Sequence, residues 1–211
     1  MAVTFIDRYR AATGISGATY CDRVDLSPSA TRIIAPSATT PLSHVRTAAL
    51  KKGVYTWWFE PGTLEVPEAA YSVFEGRELL YVGIAPRKPT SAGKESASRL
   101  RGRLTTHAIK DASRSTLRLS LGVLLADELD LSLGLYDGRL NWGPEGELRL
   151  TQWMNQHAVV SWFVDDEPWV LEHELITGVP LALNVDGRDD PFTRSLSDLR
   201  REVRRAARQN G

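Results

Sequence analysis

Cysteine is almost missing from this chain: Cys21 is the single one in 211 residues. No intramolecular disulfide can form and no thiolate metal cluster can be built, so a reducing, cytoplasmic setting is expected. Long apolar runs are absent too. Nothing approaches the ~18 residues a membrane span needs, and the N-terminus has no secretory-signal pattern, so no membrane association is expected. Net charge is missing as well, 26 bases balancing 26 acids, which removes any global attraction to a polyanion. No internal repeat, polybasic tail, helix-turn-helix or zinc-finger segment stands out. The four histidines include no His-x₃-His pair, so zinc on His107, His157 and His173 has no spacing to support it. What is left is ordinary globular composition, 42% hydrophobic and 25% charged, in a chain long enough to bury a core.

The charge is unevenly spread. From Arg87 to Arg118 nine bases (Arg87, Lys88, Lys94, Arg99, Arg101, Arg103, Lys110, Arg114, Arg118) face only Glu95 and Asp111. From Asp127 to Glu147 six acids face Arg139 alone. A basic belt beside an acidic insert is compatible with a nucleic-acid groove, and equally with solvated helix faces.

Residues 1–52 are rich in Ala, Ser and Thr with Pro28, Pro36 and Pro41 spaced through them. They read as a short helix ending near Gly14, then loop wrapping the core. Gly53 to Phe59 is aromatic and β-branched and stops at Pro61-Gly62, a strand; Leu79 to Ile84 is a second, paired antiparallel to it across an elaborated loop over 60–78. Ser96 to Lys110 reads as a helix, with Leu100, Leu104 and Ala108 at i, i+4, i+8. Arg99, Arg103 and His107 form a parallel stripe about 100° away. Leu117, Leu121, Leu124 and Leu125 repeat at helical spacing behind Ser115, a candidate cap. Asp137-Gly138 signals a turn, and Glu147 to His157 a helix. Ala158 to Val164 reads as a third strand, Pro168 to Gly178 as a helix, and Ser195 to Gln209 as an amphipathic helix with a basic outer face. The order predicts an α+β fold: a small, mainly antiparallel three-stranded sheet flanked by helices.

Four fragments occur in a telling order: Gly53-Val54-Tyr55, Tyr81-Val82-Gly83, Arg103-Leu104-Thr105-Thr106-His107, and Glu172-His173-Glu174-Leu175-Ile176 followed by Pro180 and Asn184. Together they resemble the GIY-YIG nuclease superfamily, whose members cut phosphodiester bonds in DNA with one divalent ion. The resemblance spans about 53–184, with insertions at 60–78 and 113–157, leaving 1–52 as an N-terminal extension and 185–211 as a C-terminal helix.

The resemblance implies a role for each matched residue. Glu172 would ligate Mg²⁺ or Mn²⁺, hard cations that prefer oxygen, with Glu174 the rival carboxylate two residues on. Arg103, with Leu at +1 and His at +4, would grip a phosphate through its guanidinium fork. His107 would hydrogen-bond the attacking water or relay a proton, or else be a satisfied structural histidine. Tyr55 and Tyr81 would point into one site from adjacent strands. A phenol titrating near ~10 needs help to act as a base at neutral pH, and buried tyrosines with one hydrogen bond are routine in sheets. Gly53 and Gly83 would allow close backbone approach, and Asn184 would tie the following loop to the core. Arg99, Arg101, Lys110 and Arg114 are candidate DNA-backbone contacts, while Trp57, Trp58 and Tyr71 are assigned to packing.

The chain departs from the family pattern in having Val54 and Val82 where the motif name has Ile, and in its long insertions. Such expansions resemble the stand-alone, restriction-type members. The implied activity is a metal-dependent DNA endonuclease acting on duplex, with two rivals: a nucleic-acid-binding protein of the same fold that does not cut, and a protein-interaction domain. One site per chain addresses one strand, so double-strand cleavage predicts a homodimer, formed through residues 1–52 or the helix from Ser195 to Gln209.

Overall fold

A computed structural model describes residues 26–209 of the chain; the helix expected to end near Gly14 lies outside them. The elements run as α1 (Pro28–Ile34), β1 (Thr40–Pro41), a 3₁₀ turn (Leu42–Thr47), β2 (Gly53–Phe59), a 3₁₀ turn (Glu68–Ala70), β3 (Ser72–Phe74), β4 (Arg77–Ala85), α2 (Leu100–Ile109), α3 (Thr116–Leu124), β5 (Gly134–Tyr136), β6 (Arg139–Asn141), α4 (Gly143–His157), β7 (Ala158–Val164), α5 (Pro168–Gly178) and α6 (Pro191–Gln209).

The fold is α+β, as read from the sequence, but the sheet has five strands in the order β1-β7-β2-β4-β3, not three. The three expected strands form its centre, β2 pairing antiparallel with both β4 and β7. The extra two are short edge strands. β1 supplies two residues against Val159 and Val160, and β3 pairs with Arg77–Leu79, so the 60–78 segment is partly strand and not loop alone. Two- and three-residue strands carry no readable alternation, which is why the sequence hid them. The Asp137-Gly138 turn closes a separate hairpin, β5–β6, both residues having positive φ, the geometry a two-residue hairpin loop requires.

Every residue of β2 is buried because the sheet is covered on both faces. Tyr55, Trp57 and Phe59 enter one core with α2, α3, α4 and α6; Val54 and Trp58 enter the other with α1 and α5. β4 would present Tyr81 to the second face if it alternated without interruption from Leu79. A register shift between Trp57 and Trp58 prevents this: Trp57 pairs with Tyr81 but Trp58 with Leu79. The extra residue, Leu80, re-phases the strand, and Tyr81 joins Tyr55 on the first face.

Arg118, counted in the basic belt, is wholly buried. Its Nε and Nη2 donate to Glu147 Oε2 at 2.9 and 2.7 Å, and its Nη1 donates to the carbonyls of His107 and Ala108 at the end of α2. One side chain thus caps α2 while tying α3 to α4. It is excluded from any surface contact with DNA.

Glu147→Gln should remove the charge that balances Arg118 and cost about 3 kcal/mol in urea denaturation, since breaking one half of a buried pair strands the other. A loss below about 1 kcal/mol would mean that Arg118 is solvated and does not hold these helices together.

Candidate active site

A cleft of about 380 Å³ opens where β4 is not covered by β3. Its lining includes Tyr55, Tyr81, Gly83, Arg87, Lys88, Arg103, Thr116, Glu172, Asn184 and Arg200. Matched positions on β2, β4, α2, α5 and the chain after α5 (Tyr55, Tyr81, Gly83, Arg103, Glu172 and Asn184 among them) therefore reach one space.

Asn184 explains how the open strand is held. Its Oδ1 accepts from Val82 N and its Nδ2 donates to Val82 O, both at 2.8 Å, and Leu183 N donates to Leu80 O at 2.9 Å. The segment after α5 thus satisfies backbone groups that a neighbouring strand would otherwise take, on either side of Tyr81. The glycines permit close approach, to neighbouring protein atoms in both cases. A Cβ on Gly83 would lie 2.5 Å from the Tyr55 hydroxyl, and one on Gly53 would collide with the carbonyl oxygen of Phe163.

Beneath the cleft lies His107, fully buried and absent from the lining. Its Nε2 is 2.8 Å from Tyr55 Oη and 3.2 Å from Arg103 Nη2, and its Nδ1 is 2.7 Å from Ser115 Oγ. Arginine can only donate, so Nε2 is the acceptor and the ring proton resides on Nδ1, donated to Ser115. Burial, with Arg103 and Arg118 nearby, pushes the imidazolium well below its usual range and keeps the ring neutral. Buried in this way, His107 reaches the cleft through the Tyr55 hydroxyl and not directly.

Tyr55 donates inward to His107, and its oxygen accepts from Arg103 on the cleft side. Burial raises Tyr55 and Tyr81 alike; the charge of Tyr81 opposes ionisation of Tyr55 further, and that of Glu172 opposes both, while Arg103 favours it in each. Neither is a phenolate near neutral pH. Arg103 lies beside both hydroxyls and Thr116 flanks that of Tyr81.

Glu172 is half-buried on α5. Among the described residues its carboxylate has no hydrogen bond or ion-pair contact; Arg87 and Arg103 attract it at longer range. Desolvation outweighs that attraction and raises it to about 7. Glu174 is used elsewhere: both its oxygens accept from Ser27, the cap of α1. Of the two carboxylates, only Glu172 lines the cleft.

The expected DNA contacts are less well placed. Arg99 precedes α2, where its guanidinium bonds the carbonyls of Ser96 and Ser98; Arg101 Nε donates to Ala48 O at 2.9 Å. Lys110 and Arg114 are exposed on the α2–α3 turn, and none of the four lines the cleft. His157 bonds Glu60 and His173 is exposed, so the three histidines considered for zinc do not meet. The cationic lining comes instead from Arg87, Lys88, Arg103 and Arg200. Sequence reasoning also missed Ser115 and Thr116, which lie inside a segment read as an insertion. The cap signal at Ser115 was visible, and the hydroxyl does accept from Arg118 N, but its bond to His107 was not.

Proton linkage gives the site a stability signature. Glu172 is raised from 4.5 to about 7 on folding, so its contribution is fully present below pH 4.5 and is lost as pH rises through about 7. His107 is lowered, so its contribution is present above its usual 6.5 and is lost as pH falls. Glu172→Gln should therefore leave stability unchanged near pH 4 and raise it by about 1–2 kcal/mol at pH 8. Chemical denaturation at the two pH values reads this; equal effects at both would show that Glu172 is solvated.

A family model described as the GIY-YIG catalytic domain matches residues 53–202. No curated protein and no solved structure matches the chain. The segment that builds the cleft is the segment that matches, and the chain belongs to the GIY-YIG catalytic-domain family, which has a nuclease-type fold.

Proposed function

We propose that the protein is a cytoplasmic, divalent-metal-dependent DNA endonuclease that hydrolyses a phosphodiester bond in this cleft. The observation that carries the reading is a carboxylate, Glu172, desolvated and without a bonded partner among the described residues, facing the fork of Arg103 across the same space as the Tyr55 hydroxyl.

The residues suit a hard cation that keeps most of its water. No group of three His, Cys, Asp or Glu that could cage a metal occurs among the described residues. A single carboxylate completed by substrate phosphate is the arrangement Mg²⁺ tolerates and Zn²⁺ does not favour. Glu172 would hold Mg²⁺ or Mn²⁺, and the ion would neutralise phosphate charge and make bound water more acidic.

The chain's own residues do the rest. Arg103 donates to the non-bridging oxygens of the scissile phosphate, whose charge grows in the transition state. Its contact with His107 fixes the guanidinium in direction. Tyr55, on the cleft wall beside Arg103, holds the attacking water through its hydroxyl oxygen. It orients that water without keeping its proton, because burial prevents Tyr55 from standing as a phenolate and His107 from standing as an imidazolium. As the new P–O bond forms and the scissile one breaks, the water's proton passes through solvent in the cleft to the leaving oxygen. Ser115 keeps the imidazole in the tautomer that can accept. Asn184 and Gly83 position β4 and the Tyr55 ring and touch no reacting atom. Duplex DNA is the substrate assigned here, with a homodimer required if both strands are cut in one event.

Glu172→Gln should abolish Mg²⁺-supported nicking of a supercoiled plasmid while DNA binding persists, because charge is lost at constant shape. Glu174→Gln should keep cleavage, its oxygens being committed to Ser27. The reverse pattern would move the metal to Glu174; loss of DNA binding together with cleavage in Glu172→Gln would contradict the assigned role.

Arg103→Lys keeps the charge but loses the fork, and cleavage should fall by about 10²-fold with affinity little changed. Arg99→Lys and Arg101→Lys should be nearly silent. Single-turnover rates beside anisotropy titrations separate the two effects, and a pure affinity loss in Arg103→Lys would put Arg103 on substrate binding alone.

A further inference from the structure

The helix that closes the described chain is strongly basic. α6 carries Arg194, Arg200, Arg201, Arg204, Arg205 and Arg208 against Asp198 and Glu202. Arg194 pairs with Asp189 and Arg201 with Asp198. Arg200, Arg204 and Arg208 pair with no acid among the described residues, and they recur at i, i+4, i+8. Helical rise sets them about 6 Å apart along one stripe.

The stripe starts inside the cleft. Arg200 lines it beside Tyr81 and Thr116, yet is only 7% exposed. Its Nε is buried without an acceptor. Asp186 attracts both Arg200 and Arg204 but reaches ion-pair contact with neither. The arginines instead oppose one another, Arg204 acting on Arg200 and Arg208 on Arg204. A buried guanidinium without a partner is unfavourable, and like charges in line add to the cost. Both penalties are relieved together by an anion with repeating charge lying along the helix, its end inside the cleft. A second copy of α6 would not relieve them. A two-fold contact through this face would set arginines against arginines, so this stripe is unsuited to the dimer contact read for the helix from sequence.

We propose that Arg200, Arg204 and Arg208 form a phosphate track that leads one strand of the substrate out of the cleft, Arg200 holding a phosphate next to the one gripped by Arg103. The inference rests on the endonuclease reading above and assigns to α6 the strand-guiding surface that the basic belt was expected to supply.

The test is duplex affinity against salt, measured by anisotropy in EDTA so that no cleavage intervenes, beside thermal melts of the same proteins. Wild type should show a steep slope of log K on log[salt]. Arg204→Gln/Arg208→Gln should flatten it by about 2 and Arg200→Met by about 1. Arg201→Gln, whose arginine is tied to Asp198, should leave it unchanged. Arg200→Met should also raise the melting temperature, because it removes a buried unpaired charge, whereas a structural arginine would lower it on removal. Wild-type binding and metal-dependent cleavage with unaltered slopes in the variants would overturn the track and leave the endonuclease standing. No salt-dependent binding by wild type would overturn both. Competition by polyglutamate as strong as by DNA would assign the stripe to an acidic peptide and also overturn the proposal.

Discussion

The bond between Tyr55 and His107 is the constraint around which this site is organised. It buries an imidazole completely and forces it to stay neutral. Which nitrogen carries the proton is fixed beside it, because Arg103 can only donate and so leaves Nε2 as the acceptor for Tyr55 as well. Everything near it serves those demands. Ser115 accepts from Nδ1–H, Arg118 caps the end of α2 just below, and Glu147 balances Arg118. Gly83 leaves the space in which the Tyr55 ring lies. The segment over 113–157 looks like an insertion by length, but through Ser115, Thr116, Arg118 and Glu147 it is part of the support of the site.

The cleft also concentrates unfavourable electrostatics. Glu172 is desolvated without a bonded partner, Arg200 is buried without an acceptor, and two phenols are kept far from ionisation. Folding energy from two apolar cores tolerates this at one edge of the sheet. Such clustering is expected where pre-organised charge serves binding or chemistry and is rare where groups serve stability alone. Arg103 arrives from a helix on one face of the sheet and Glu172 from a helix on the other. They meet because β4 has an uncovered edge there, secured by Asn184 in place of a strand.

Much of this was legible in the sequence because the informative residues sit in regular elements. The central strands β2 and β7 and the helix α5 stand where their apolar patterns put them, and the bounds of β7 and α5 agree to the residue. The motif positions converge because most of them sit on regular elements, β2, β4, α2 and α5, with Asn184 on the chain after α5. What was not legible depends on contacts between elements. The bulge at Leu80 that turns Tyr81 toward Tyr55 has no local signal. Arg118 reads as one more surface base until Glu147 is placed beside it, about eight helical turns of chain away. Arg99 and Arg101 looked free to touch the DNA backbone, yet they are taken by backbone carbonyls. Arg200 was hidden in an amphipathic pattern whose arginines all looked solvent-facing.

In the function proposed above Glu172 is held ready for a cation, and metal-induced stabilisation measured across pH is the decisive measurement. With Mn²⁺ near saturation, the melting temperature of the metal-free protein should rise above pH 7, where the carboxylate is charged and unbalanced. The rise should shrink as pH falls through about 7 and vanish near pH 5, because the proton then competes for the same oxygens. It should be absent in Glu172→Gln at every pH. A stabilisation that is independent of pH, or retained in Glu172→Gln, would contradict the account.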